Sequence, residues 1–107
     1  MKEGIYSNEG YFEAKLQIRP ADKKIIDYAL SEITKRKNVF IAKEVKLKTG
    51  IDFYITSYRF AVSLARNMKR KFGGEIKISR QLYTQHYLTS KLVYRITVLY
   101  RVKKQPL

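Results

Sequence analysis

The stretch from Gly50 to Arg80, GIDFYITSYRFAVSLARNMKRKFGGEIKISR, reads as strand, capped helix, glycine turn and strand. Ile51, Phe53 and Ile55 alternate with Asp52, Tyr54 and Thr56, the period of a half-buried strand. Ser57 stands where an N-cap belongs, its hydroxyl able to accept an orphan backbone N–H of the first turn. From Tyr58 to Phe72 the period turns helical. At about 100° per residue, Ala61, Leu64, Ala65, Met68 and Phe72 share one stripe, and Arg59, Ser63, Arg66 and Arg70 share the opposite side. Lys69, Arg70 and Lys71 load the last turn, where cations suit the negative end of the helix dipole. Gly73-Gly74 supplies the left-handed position just past a helix end. One face of this helix is for a core, and the other is for something negative.

Toward the N-terminus, Tyr11 to Arg19 alternates as a strand. Phe12, Ala14, Leu16 and Ile18 point one way, and Glu13, Lys15, Gln17 and Arg19 the other. Pro20, with no N–H for the ladder, ends it. Asp22 is the expected N-cap of a helix running to about Lys37, with Ile25, Ile26, Ala29, Leu30 and Ile33 as its apolar stripe and Asn38 as its C-cap. Two readings fit Lys35-Arg36-Lys37 at its end: dipole complementarity on a solvated terminus, or contact with phosphate. Val39 to Lys48 is a further strand, ending in Val45 and Leu47 among lysines, with Thr49-Gly50 as the hairpin turn into Ile51. Toward the C-terminus, Glu75 to about Gln85 and Lys91 to Val102 form an antiparallel pair joined by a loop of roughly His86 to Ser90. Leu92, Tyr94, Ile96, Val98, Tyr100 and Val102 make the last strand's apolar row, with Arg95, Thr97 and Arg101 facing away.

The order is β-α-β-β-α-β-β. Two helices with one apolar stripe each must cover one face of a single, mainly antiparallel sheet, with right-handed crossovers. The expected fold class is therefore α+β, a two-layer α/β sandwich of the ferredoxin-like kind extended by a strand. Residues 1–10 read as a flexible leader, 11–103 as a single basic domain and 104–107 as a tail.

With 107 residues there is room for one modest core. The formal charge is +14, from 23 basic and nine acidic residues. It is unevenly spread: residues 53–107 contain a single acid, Glu75. Such self-repulsion is better tolerated beside a polyanion, which puts nucleic acid first among partners and an anionic membrane surface well behind. No stretch reaches the roughly 18 apolar residues of a bilayer span, and no signal peptide is visible. The absence of cysteine removes disulfides and thiolate metal sites.

For catalysis the chain offers almost nothing. His86, the single histidine, sits in a polar loop, where solvation is the ordinary reading. Gly73-Gly74 follows a helix and opens a strand, the reverse of a phosphate-binding turn. Asp27 and Glu32 read as solvated charges on a helix rather than an acid pair. No catalytic residue, metal ligand, cofactor or small-molecule substrate is expected. The open sheet face would carry Lys15, Gln17, Arg19, Tyr54, Lys77, Ser79, Tyr83, Arg95 and Arg101. That set fits either an ordinary wet face or one meeting phosphates and unpaired bases. The aromatic signature of RNA-recognition motifs is absent.

Four pieces in this order, EAKLQIR at 13–19, GIDFY at 50–54, the Ala- and Arg-bearing helix ending in KFGGEIK at 71–77, and YRITVLYRV at 94–102, resemble the central domain of the NMD-three family. That family comprises the large-ribosomal-subunit export adaptors of eukaryotes and their archaeal relatives, and the resemblance covers about residues 11–102. It implies a cytoplasmic rRNA-binding protein of the large subunit, an archaeal assembly factor or a resident ribosomal protein, with rRNA and large-subunit ribosomal proteins as partners and no membrane. The family carries paired CxxC zinc motifs ahead of this domain and, in eukaryotes, a long C-terminal region with transport signals. This chain has no cysteine, so the expectation is the domain without its zinc module, and without the long C-terminal region the resemblance does not carry the export role across. The expected rRNA-binding cations are Lys15, Arg19, Lys35, Arg36, Lys37, Arg59, Arg66, Lys69, Arg70, Lys71, Lys77, Arg80, Arg95 and Arg101. The alternative is an interaction module whose exposed strands pair with a partner protein or a second copy.

Overall fold

The computed structural model describes the backbone of residues 11–86 and 91–102, and the side chains of 11–80 and 95–102. Its elements are β1 (Ala14–Arg19), α1 (Lys23–Thr34), β2 (Ile41–Leu47), β3 (Gly50–Ile55), α2 (Tyr58–Phe72), β4 (Glu75–His86) and β5 (Lys91–Arg101). The expected loop at 86–90 falls largely outside the described residues, as do the side chains of Tyr83, His86, Leu92 and Tyr94.

The strands form one sheet in the order β2-β3-β1-β5-β4. Three of its four pairings are antiparallel, and β1 runs parallel to β5. The α+β sandwich is as expected, but the strand order corrects the ferredoxin-like reading. In that fold the strand following the second helix would pair with β1. Here β4 is displaced to the edge, and β5 turns back from it to take the place beside β1. The extra strand lies within the sheet instead of extending it. Val98 and Tyr100, fully buried, explain the choice. They belong at the sheet's centre under the helices, whereas β4 offers Ile76, Ile78 and then Arg80 on that face. Because β1 pairs with β5 only from Ile96 to Arg101, residues 81–86 and 91–95 pair with each other alone, a two-stranded arm running past the sheet.

Both helices bury their stripes in one core against one face. Ile25, Ala29 and Ile33 of α1 and Ala61, Leu64, Ala65 and Met68 of α2 pack with Leu16, Ile18, Phe53, Ile55, Val98 and Tyr100. Asp22 caps α1 as expected, accepting from the Lys24 N–H at 2.9 Å. That helix ends at Thr34 rather than Lys37, with Lys35 instead of Asn38 as its C-cap. The Thr34 hydroxyl turns back to the Leu30 carbonyl at 2.8 Å, and the Arg36 N–H closes a tighter turn onto Ile33.

Two local irregularities escape simple alternation. The β2–β3 register shifts between Ile41 and Lys43, a bulge that keeps Ile41 in the core but turns Lys43, Val45 and Leu47 to the open face. The hairpin turn is Lys48-Thr49, one residue earlier than expected, because Gly50 already pairs with Leu47. A Cβ on Gly50 would run into the Ile18 carbonyl and the Arg19 side chain, so glycine there permits close approach to β1.

Candidate nucleic-acid interface

Helix α2 is held at both ends, and that sets where its arginines point. At its start, the Ser57 hydroxyl accepts from the Phe60 N–H at 3.3 Å. A second acceptor arrives from just ahead of β1: the Glu13 carboxylate takes the Tyr58 N–H at 2.9 Å, a negative charge on the positive end of the helix. Glu13 does this by leaving the open face assigned to it by alternation. The chain bends there, ahead of the regular strand, and Phe12 goes to the open face instead, edge-on to Tyr54 at 4.9 Å. At the far end Gly73, φ 77°, donates its N–H to the Lys69 carbonyl. The buried Tyr100 hydroxyl donates to the Gly73 carbonyl at 2.6 Å. Gly74, φ 97°, leaves no room for a Cβ against the Arg101 carbonyl.

With the stripe buried, Arg59, Arg66, Lys69 and Arg70 are exposed. The helix carries five cations and no acid. Arg59, Arg66 and Arg70 come together along one groove of about 630 Å³, floored by Val62, Ile78 of β4 and Ile96 of β5. Tyr58 closes one end, its hydroxyl accepting from Arg59 Nε at 3.3 Å. That hydrogen bond pushes the Arg59 pKa above its ordinary value. Lys71 turns toward α1, 5.2 Å from the Tyr28 ring centre and 5.8 Å from that of Phe72. Arg36 lies 5.6 Å from the Phe60 ring, placing the basic end of α1 beside the start of α2. Lys35 pairs with Glu32 at 3.3 Å, and Lys37 is exposed. Arg80, opposite Ile96 in the β4–β5 register, shares the helix-facing side of the sheet.

The remaining expected cations stand on the other face. Lys15 and Lys43 flank Tyr54, 5.3 and 5.7 Å from its ring centre. Arg95 stacks on Phe12 at 4.8 Å and lies 5.7 Å from Tyr11. The Tyr11 hydroxyl donates to Glu13 at 2.6 Å, which raises its pKa. Lys77 is exposed opposite Leu99, and Arg101 faces Glu75 across the ladder. Arg19 differs from the others. One amino group bonds Asp52 Oδ1 at 2.7 Å, and the other meets the carbonyls of Ile18 and Ile51. Asp52, 5% exposed, is the buried charged residue of the described chain, so the first duty of Arg19 is to neutralise it. The expected cations thus form two surfaces on opposite sides of the sheet. Sequence reasoning missed Lys43, which the bulge turns to the open face, and did not single out Ile78, which stays exposed at the sheet's edge.

Among the described residues no helix is long and apolar enough to cross a membrane. Fold and surface together define a strongly basic α+β domain whose second helix presents cations and no acid. Residues 11–102 match the family model of the second domain of NMD3, and the chain belongs to the NMD3 family. That family is linked to the export and biogenesis of the large ribosomal subunit. No curated protein matches the chain.

Proposed function

We propose that this protein is a non-catalytic rRNA-binding protein of the large ribosomal subunit, serving in late assembly or as a resident subunit protein of an archaeon, in the cytoplasm. The observation that carries the reading is α2: Arg59, Arg66, Lys69 and Arg70 exposed on a helix without an acid, in a chain of net charge +14. Arginine guanidiniums meet phosphate bidentately and keep their charge at physiological pH. With no base-reading motif, such contacts position the protein on an RNA backbone rather than select a sequence. Association with the large subunit follows from the family, and rRNA and neighbouring ribosomal proteins are the partners.

The test is sedimentation of a cell lysate at low and high salt, following the protein across the gradient. The expected result is co-migration with large subunits at low salt and release at high salt. Presence only on immature particles assigns an assembly role, and presence in translating ribosomes a resident one. Protein remaining at the top of the gradient at low salt would overturn the reading.

A further inference from the structure

We infer that the groove between α2 and the outer edge of β4 receives an extended acidic segment of a protein partner, added to the sheet as a further strand beside β4. Three features converge there. β4 is the edge of the sheet, and among the described residues no strand lies on its outer side. An edge of this kind is a template for another chain's backbone. Ile78, on the helix-facing side opposite Val98, remains 45% exposed, because α2 covers the sheet's centre and leaves the edge bare. The wall across from it is Arg59, Arg66 and Arg70 on α2, over the aliphatic floor of Val62 and Ile96.

The spacings suit a strand. Arg66 and Arg70 are four residues apart on a helix, about 6 Å along its axis. Alternate residues of a strand are about 7 Å apart on one face. A strand laid beside β4 and running along α2 would therefore set two alternate inward side chains against Arg66 and Arg70, with Ile78 beside them. A segment mixing aliphatic residues with carboxylates on that face would fill the floor and neutralise the wall.

Charge selects among occupants. A second copy of this chain would bring two strands bearing Lys77 and Arg80 side by side, each copy carrying +14. An RNA strand would find phosphate ligands but an aliphatic floor, and the ring lining the groove, Tyr58, already carries the Arg59 guanidinium at 5.9 Å. The inference goes beyond the rRNA reading. Since both ligands use the same arginines, they exclude each other in the groove.

The experiment uses the whole chain and a fluorescent peptide of about ten residues alternating valine and glutamate. Two controls accompany it: the same peptide with serine at each valine, and an oligouridylate of similar length. Anisotropy gives affinity, and amide hydrogen exchange reports on residues 75–80. Expected is binding at least tenfold tighter than that of the serine peptide, with protection of the β4 amides. Ile78→Ser, which replaces a half-exposed side chain, should weaken the valine peptide by roughly three- to tenfold and leave oligouridylate binding unchanged. Arg66→Gln with Arg70→Gln should weaken the valine peptide at least about tenfold. Equal binding of the serine peptide, unprotected β4 amides, or indifference to Ile78→Ser would each overturn the inference. So would self-association of the chain that Ile78→Ser abolishes. If the peptide binds as stated and oligouridylate does not bind, the rRNA reading alone falls.

Discussion

Replacing Arg19 with Met keeps the strand and most of the side-chain volume but leaves the Asp52 carboxylate without its partner. The pair is short, 2.7 Å, and enclosed, with side-chain exposures of 17% for Arg19 and 8% for Asp52. The arginine also supports two β-strand carbonyls, those of Ile18 and Ile51. Breaking a buried pair by removing one partner costs about 3–5 kcal/mol. The partial exposure of Arg19 puts the expected loss near the lower end, about 3 kcal/mol. For a domain of this size that corresponds to a fall in Tm of roughly 10–15 °C. The double variant Arg19→Met/Asp52→Leu removes both charges and should recover most of the loss, since an apolar pair of similar volume is often no less stable than the ion pair. Thermal and urea unfolding of the wild type, both single variants and the double variant give the coupling energy directly. RNA binding by folded Arg19→Met protein should keep the wild-type salt slope, because this cation is already neutralised at home. A single-variant loss below about 1 kcal/mol, or a salt slope that falls while stability holds, would refute this. Arg19 would then be a phosphate ligand.

Replacing Arg59, Arg66 and Arg70 together by Gln leaves the buried stripe of α2 untouched, so stability should change by less than about 1 kcal/mol. RNA affinity should drop for all sequences, with the slope of log K against log salt shallower by up to about 2–3 units, at roughly 0.7–0.9 per phosphate contact. An unchanged slope would move the RNA to the open sheet face, where Lys15, Lys77, Arg95 and Arg101 would be next to test. Tyr100→Phe removes the hydroxyl that holds the Gly73 carbonyl and should cost about 1–2 kcal/mol at neutral pH by urea unfolding. Burial raises the Tyr100 pKa above its ordinary value of about 10. The folded protein therefore holds that proton more tightly than the unfolded chain. The tyrosine's contribution is complete below about pH 10 and is lost as pH rises through the raised value. The stability gap between wild type and Tyr100→Phe should accordingly narrow above pH 10, and a widening gap would contradict the assignment.

Local periodicity decided much of this molecule. The bounds of α2, its Ser57 cap, its glycine stop and its division into an apolar stripe and a cationic face all follow from spacing along one helix, where neighbours in space are neighbours in sequence. Asp22 and the inward rows of β1 and β3 were legible for the same reason. The family resemblance in the sequence also agrees with the match over residues 11–102. Strand order was not legible, because β4 and β5 carry similar alternating patterns. Only the packing of Val98 and Tyr100 beneath two helices placed β5 at the centre and β4 at the edge. From that one choice comes the exposure of Ile78, and with it the groove beside the arginines. Alternation likewise could not reveal the bulge that turns Lys43 to the open face, nor the bend that swaps Phe12 and Glu13. Both arise where long-range partners, the Tyr54 ring and the free N–H groups of α2, outweigh the strand's own period. Charge was readable residue by residue, but its pairing was not. That Arg19 belongs to Asp52, 33 positions away, while Arg66 faces a groove is a fact of tertiary structure alone, since only the fold decides which cations are neutralised from within.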